Sequence, residues 1–319
     1  MRFPALLSVL ALSSLWPLSA AATCDQAAPC VDAEPMWLSA SSRYFSFIPD
    51  TRAPALGGLG GALNLGFRFE PVVLEAKAPN AEGREINLIR HTTDVTAGLR
   101  VGVGNRMELT LALPAGLYQR GAGIKGVTHQ SSPPISEQSL HDPRVGFGYA
   151  LPLQLFNSIT YKLQLELKLP IGDESALMGE RSFVTSPTLV VSARRGGFFS
   201  GGMLGFRLRR PSDFFGRRIG TQGLVALGLG YELAKPQLAF GLEAYVLPSL
   251  EPSSAPRNEM DVAAEWLASV RFTPRRVQVL SFGLSSGTGI PMPHGDSGWQ
   301  SGVGVPLLRV LALARWAAP

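Results

Sequence analysis

Residues 160–169 read Thr-Tyr-Lys-Leu-Gln-Leu-Glu-Leu-Lys-Leu. Tyr161, Leu163, Leu165, Leu167 and Leu169 share one parity, and Thr160, Lys162, Gln164, Glu166 and Lys168 share the other. A helix turns about 100° per residue and would scatter those charges around its circumference, whereas a strand sorts them onto two faces. At roughly ten residues the run is longer than the five or six of an ordinary soluble strand, and it matches the length that crosses a bilayer at a tilt.

The alternation repeats along the chain. Leu63, Leu65, Phe67 and Phe69 oppose Asn64, Arg68 and Glu70; Val95, Ala97, Leu99 and Val101 oppose Asp94, Thr96 and Arg100. Similar runs start near Met107, Val145, Leu204, Val225, Leu238 and Val262, with weaker ones over 183–194, 277–287 and 301–316. Composition agrees. Charged residues make up 17%, against roughly 25% in a typical soluble domain, and the 35 Gly and 25 Pro argue against extensive helix. A net charge of +5 without a Lys/Arg block excludes a nucleic-acid surface of the usual kind.

The connections alternate between tight and long. Gly104-Asn105, Asn157-Ser158, Gly196-Gly197, 234–236 and Pro274-Arg275 are tight; 77–84, 121–141, 172–180, 211–218, 248–259 and 289–300 are long. Outer-membrane barrels have short periplasmic turns and longer external loops. In lipid an open sheet edge would leave backbone groups unpaired at several kcal/mol each, so such a sheet must close. The expected fold is therefore all-β: a closed antiparallel transmembrane β-barrel of about twelve strands, with an apolar outer face and a polar lumen. A soluble β-sandwich also alternates, but with shorter strands. Pro71, Pro114, Pro152 and Pro306 each remove a ladder donor, which places them at barrel rims or bulges.

The N-terminus has the parts of a secretory signal peptide: Arg2, an apolar stretch from Leu6 to Leu18, and Ala20-Ala21-Ala22. The expected organisation is a signal peptide over 1–22, a periplasmic segment over 23–55 and the barrel over 56–319. The only two cysteines, Cys24 and Cys30, read as one small disulfide loop in an exported protein. Cys24 also admits a lipoprotein reading, which Thr23 fits poorly. Beyond the signal peptide no run of roughly 18 apolar residues exists for a helical span.

Leu308, Val310, Ala312, Ala314 and Trp316 alternate up to an aromatic near the C-terminus. This resembles the terminal strand recognised by the barrel-assembly machinery of Gram-negative outer membranes, with Trp316 as the assembly signal and Ala317-Ala318-Pro319 as a departure from it. Arg106 to Pro114 and Asp142 to Tyr149 are similar to transporter-like barrels of the phenol-degradation MetA-pathway type, and to the barrel part of delta-proteobacterial OmpA-family proteins. The resemblance implies residence in the cell outer membrane among lipid and lipopolysaccharide, and small solutes as partners.

With the polar faces inward, Arg144, Lys162, Lys168, Arg194, Arg207 and Arg209 form a basic wall, with Glu166 the exception. Glu232, Glu243, Asp261 and Glu265 form an acidic one, with Arg271 the exception. Two readings stand: elements that select solutes in a water-filled pore, or pairs that stabilise a plugged barrel. His91, His129, His141 and His294 lack metal-ligand spacing, and no G-x-S-x-G is present, so neither a metal, a cofactor nor catalysis is expected. The function expected is passive passage of small solutes. The alternative is a non-conducting structural or surface-binding barrel with 121–141 and 289–300 as external loops.

Overall fold

The computed structural model describes residues 30–76, 84–124, 135–155, 158–215, 217–233, 237–251, 261–274, 277, 279–293, 299–300 and 302–317. The expected signal peptide, Cys24, His129 and His294 lie outside the described residues. The strands in chain order are β1 (Leu59–Ala76), β2 (Arg84–Gly104), β3 (Met107–Arg120), β4 (Ser139–Leu140), β5 (Arg144–Leu155), β6 (Ile159–Lys168), β7 (Val184–Arg195), β8 (Phe198–Arg207), β9 (Ser212–Phe214), β10 (Arg217–Ile219), β11 (Gln222–Glu232), β12 (Leu238–Pro248), β13 (Val262–Phe272), β14 (Leu280–Gly289), β15 (Met292–Pro293), β16 (Trp299–Gln300) and β17 (Leu308–Ala317). No helix occurs among the described residues.

Twelve of these strands form one closed antiparallel ring in the order β1, β2, β3, β5, β6, β7, β8, β11, β12, β13, β14, β17. The ring closes between β1 and β17, from Gly60 opposite Ala317 to Phe69 opposite Leu308. β4 pairs only with β3, and β9 with β10 and β15 with β16 form small separate ribbons. Tight connections such as Gly196, which takes a positive φ of 61°, gather at one end, here called the turn end. The strand ends joined by the long connections lie at the other, the loop end.

The side-chain parity read from the sequence is the parity of the barrel wall. Leu163 and Leu165 are 43% and 41% exposed on the outer face, whereas Lys162 and Lys168 are buried inside. A one-residue slip of register would turn these lysines toward lipid, at about 2–4 kcal/mol each near the midplane. Pro114 departs from the expected rim or bulge, since it opposes Thr96 within the regular part of the β2–β3 ladder, but other prolines mark irregularities. The β1–β2 register shifts between Phe69 and Val72, beside Pro71, and the β5–β6 register shifts between Ala150 and Gln154, beside Pro152. The last strand starts at Leu308, not 301, just after Pro306.

The interior differs from the expected polar lumen. Two apolar clusters fill it. One joins Met36, Leu38, Phe45, Phe47 and Ile48 to wall residues that include Val190, Phe199, Tyr245, Leu247, Leu267, Leu311 and Leu313. The other, at the loop end, joins Val31 and Ala33 to Val72, Leu88, Ile89, Ile124, Leu177, Phe214 and Ile219. Both contain residues of the segment before β1. That segment, expected as a periplasmic approach, runs through the barrel instead.

Candidate functional site

Residues 31–49 form a strap along the barrel axis. Over 30–56 the strap makes no ladder with the wall, so its backbone carbonyls need other partners. Inward-facing arginines supply them. Arg68 Nη1 donates to Ala33 O at 2.6 Å, Arg207 Nη1 to Pro35 O at 2.6 Å and Arg144 Nη2 to Leu38 O at 2.9 Å. Further toward the turn end, Arg100 Nη1 donates to Ser41 O at 3.2 Å, Arg315 Nη1 to Ser42 O at 2.6 Å and Arg271 Nε to Tyr44 O at 2.5 Å. The strap then doubles back: Ser39 N donates to Ser46 O and Asp50 N to Ser41 O. At that bend Glu243 accepts from Ser46 N at 2.7 Å and Phe47 N at 3.3 Å.

Ion pairs anchor the loop-end half. Asp32 Oδ2 lies 2.6 Å from Lys168 Nζ, which also meets Glu180 at 2.7 Å, and Asp32 Oδ1 lies 3.3 Å from His141 Nδ1. The other ring nitrogen of His141 faces Asp94 at 3.4 Å. Burial alone would lower the His141 pKa and raise that of Asp32, but the facing charges outweigh it. Asp32 and Asp94 push His141 up to about 9, and Lys168 with His141 hold Asp32 well below the usual carboxylate range. Glu34 bridges Arg68 at 3.2 Å and Arg309 at 3.1 Å, and Arg309 also meets Glu265 at 2.5 Å. Between these anchors Trp37 lies under three cations, with Arg207 4.2 Å, Arg144 5.1 Å and Lys168 6.0 Å from its ring centre.

The free space is uneven. Cavities of about 380 and 260 Å³ flank the strap at the turn end, the first lined by Tyr44, Thr51, Arg194 and Phe199 among others, the second by Arg43, Arg100, Arg271 and Arg315. Near Trp37 and Asp32 the voids shrink to about 20 and 30 Å³.

The residues singled out from sequence sit on this interior, but they do not act as two opposed walls. Lys162 pairs with Glu108 at 2.8 Å across the sheet, Glu265 with Arg309, and Arg209 with Glu180 at 2.8 Å. Arg194 and Glu232 pair with each other at 2.6 Å at the turn-end mouth, beside Tyr44. Arg144, Arg207 and Glu243 hold the strap. Cys30 is buried at the head of the strap, and its expected partner lies outside the described residues. Trp316 faces outward and covers Gly61 across the β1–β17 seam. Sequence reasoning passed over Arg309 and Arg315, although they alternate with Leu308, Val310 and Trp316, and over Asp32, Glu34 and Trp37, which carry no periodicity.

The closed ring has a counterpart among solved structures. The COG4313 outer membrane channel from Pseudomonas putida F1 superposes with a TM-score of 0.60 at 11% identity, covering 84% of this chain and 98% of that one. The fold is that of an outer-membrane β-barrel. The NanC porin also matches, with a TM-score of 0.48 at 8% identity over 81% of this chain and 99% of its own. No family profile matches the sequence, and no curated protein does. The barrel is thus placed by its fold.

Proposed function

We propose that the chain is an outer-membrane channel for passive passage of small solutes, with the strap setting its width. The observation that carries this reading is the gradient of free space along the lumen, from cavities of about 380 and 260 Å³ at the turn end to voids of about 20 and 30 Å³ around Trp37 and Asp32. A barrel with only a structural task gains nothing from two vestibules on one side. Passage then requires residues 31–38 to yield. They are attached by ion pairs and by hydrogen bonds to carbonyls rather than by strand pairing, which makes that movement local.

By the rule of short periplasmic turns the vestibules face the periplasm, and the loop end faces the medium. Export by the signal peptide, insertion by the assembly machinery through the Trp316 strand, and contact with lipopolysaccharide complete the reading. It is a transport reading, not an enzymatic one: the imidazole of His141 is taken up between Asp32 and Asp94.

Conductance in planar bilayers tests it, comparing the whole chain with a variant lacking residues 31–50. Discrete steps from the whole chain and larger ones from the deletion are expected. Silence from both, with heat-modifiable gel migration proving a folded barrel, overturns the channel and leaves a structural or surface-binding barrel.

A further inference from the structure

We propose that the turn end of the lumen holds a binding site for a small dissolved oxyanion, a carboxylate or a phosphate, between Arg271 and Arg315. Both residues line the cavity of about 260 Å³, and both side chains are nine-tenths or more buried, at 5% and 6% exposure. Each spends one N–H on the strap. Nη2 of Arg271, and Nε and Nη2 of Arg315, have no protein acceptor. A buried charged donor without an acceptor is costly, and a planar guanidinium fork matches the paired oxygens of a carboxylate or phosphate.

The protein's own carboxylates do not answer this demand. The same cavity is lined by four arginines, Arg43, Arg100, Arg271 and Arg315, against Asp50 and Glu232. Glu232 is already paired with Arg194 at 2.6 Å. The nearby Glu243 accepts from the strap backbone at Ser46 and Phe47. Among the described residues none of the four arginines is in an ion pair, so the cavity carries an excess of positive charge. Its volume lies below the roughly 300–1,000 Å³ of drug-sized pockets, which favours a small ion over a bulky ligand. The site stands on lumen geometry whether or not the barrel conducts.

Isothermal titration of the full-length protein in a neutral detergent, with inorganic phosphate as probe, tests the site. Saturable binding that weakens as KCl is raised is expected. Arg271→Gln and Arg315→Gln should each weaken it about tenfold, the loss of roughly one charge-assisted bond. Arg181→Gln, on the exposed loop end, should leave it unchanged. Heat-modifiable migration checks folding, and Arg100→Gln, a less buried change in the same cavity, replaces any variant that does not fold. No binding by the folded protein, or affinities unaltered in the lumen variants, overturns the proposal. A second phosphate titration, with phosphatidylglycerol in the micelle, separates the sources. Loss of phosphate binding to the lipid would make this a headgroup site and overturn the dissolved-ion reading; no competition supports it.

Discussion

Phe45 of the strap rests against the backbone of Gly228 on the lumen wall, so closely that a Cβ there would lie 2.5 Å from the ring. Gly201, directly across the ladder from Gly228, faces the same ring, with 2.8 Å from its Cβ position to Phe45. The two glycines make a seat only because they lack side chains. Gly228→Val should therefore expel Phe45, destabilise the folded barrel by about 1–3 kcal/mol and raise single-channel conductance. Adding Phe45→Ala should restore stability while conductance stays high. Recovery of the closed state in that double variant would show that the ring is not what the seat holds.

The buried pair Lys162–Glu108 contributes differently. With the two side chains 0% and 1% exposed, removing either partner leaves a charge without compensation. Lys162→Met should cost about 3–5 kcal/mol, measured by denaturant unfolding in micelles. Lys162→Met with Glu108→Leu should recover most of that loss. An additive double variant would refute the pair as a coupled unit.

The loop-end anchor is sensitive to alkali. His141 binds its proton more tightly when folded, with its pKa moved from 6.5 to about 9. Its stabilisation is complete below the unfolded value and is lost as pH rises through about 9. Asp32 shifts downward, so its share is present above the ordinary carboxylate value and fails only in strong acid. The temperature of heat-modifiable unfolding should thus fall as pH rises through about 9, and this fall should be much reduced in His141→Asn. An equally steep fall in that variant would remove His141 from the anchor.

Arg207 both holds Pro35 O at 2.6 Å and lies 4.2 Å from the centre of Trp37. Arg207→Glu removes both contacts and sets a buried carboxylate against the strap. Noisier, larger conductance with a shift toward cations is expected in bilayer recordings. Reversing Arg209, which meets Glu180 and Gln222 instead, should change conductance less.

Trp316 lies over Gly61 where the first strand meets the last. Trp316→Ala should cost about 1 kcal/mol of seam stability, because the ring stays half in contact with the lipid side. Folding into vesicles should slow by more than that loss implies if the residue also guides assembly. Equal slowing by Leu308→Ala at the far end of β17 would assign the effect to packing alone.

The ring was legible because period-two alternation reports directly which side of a wall a residue faces. Lys162, Arg207 and Glu243 could be placed inward from parity alone. Arg309 and Arg315 obey the same rule and needed only to be counted. The strap was not legible. Between Pro35 and Pro54 it has no repeating face, and its partners on the wall bind carbonyls, which leave no trace in side-chain pattern. Apolar lumen positions such as Leu247 and Leu267 made sense only once Phe45, Phe47 and Ile48 were found against them.

The hold on the strap through Ala33, Pro35, Leu38, Ser41, Ser42 and Tyr44 falls on main-chain oxygen, an atom every amino acid carries. The arginines thus prescribe a route through an atom that no substitution at those six points removes. Substitution there can retune the bore of the passage, through bulk or charge, without dismantling the clamp. The fixed part of such a device is the wall, and the adjustable part is the thread drawn through it.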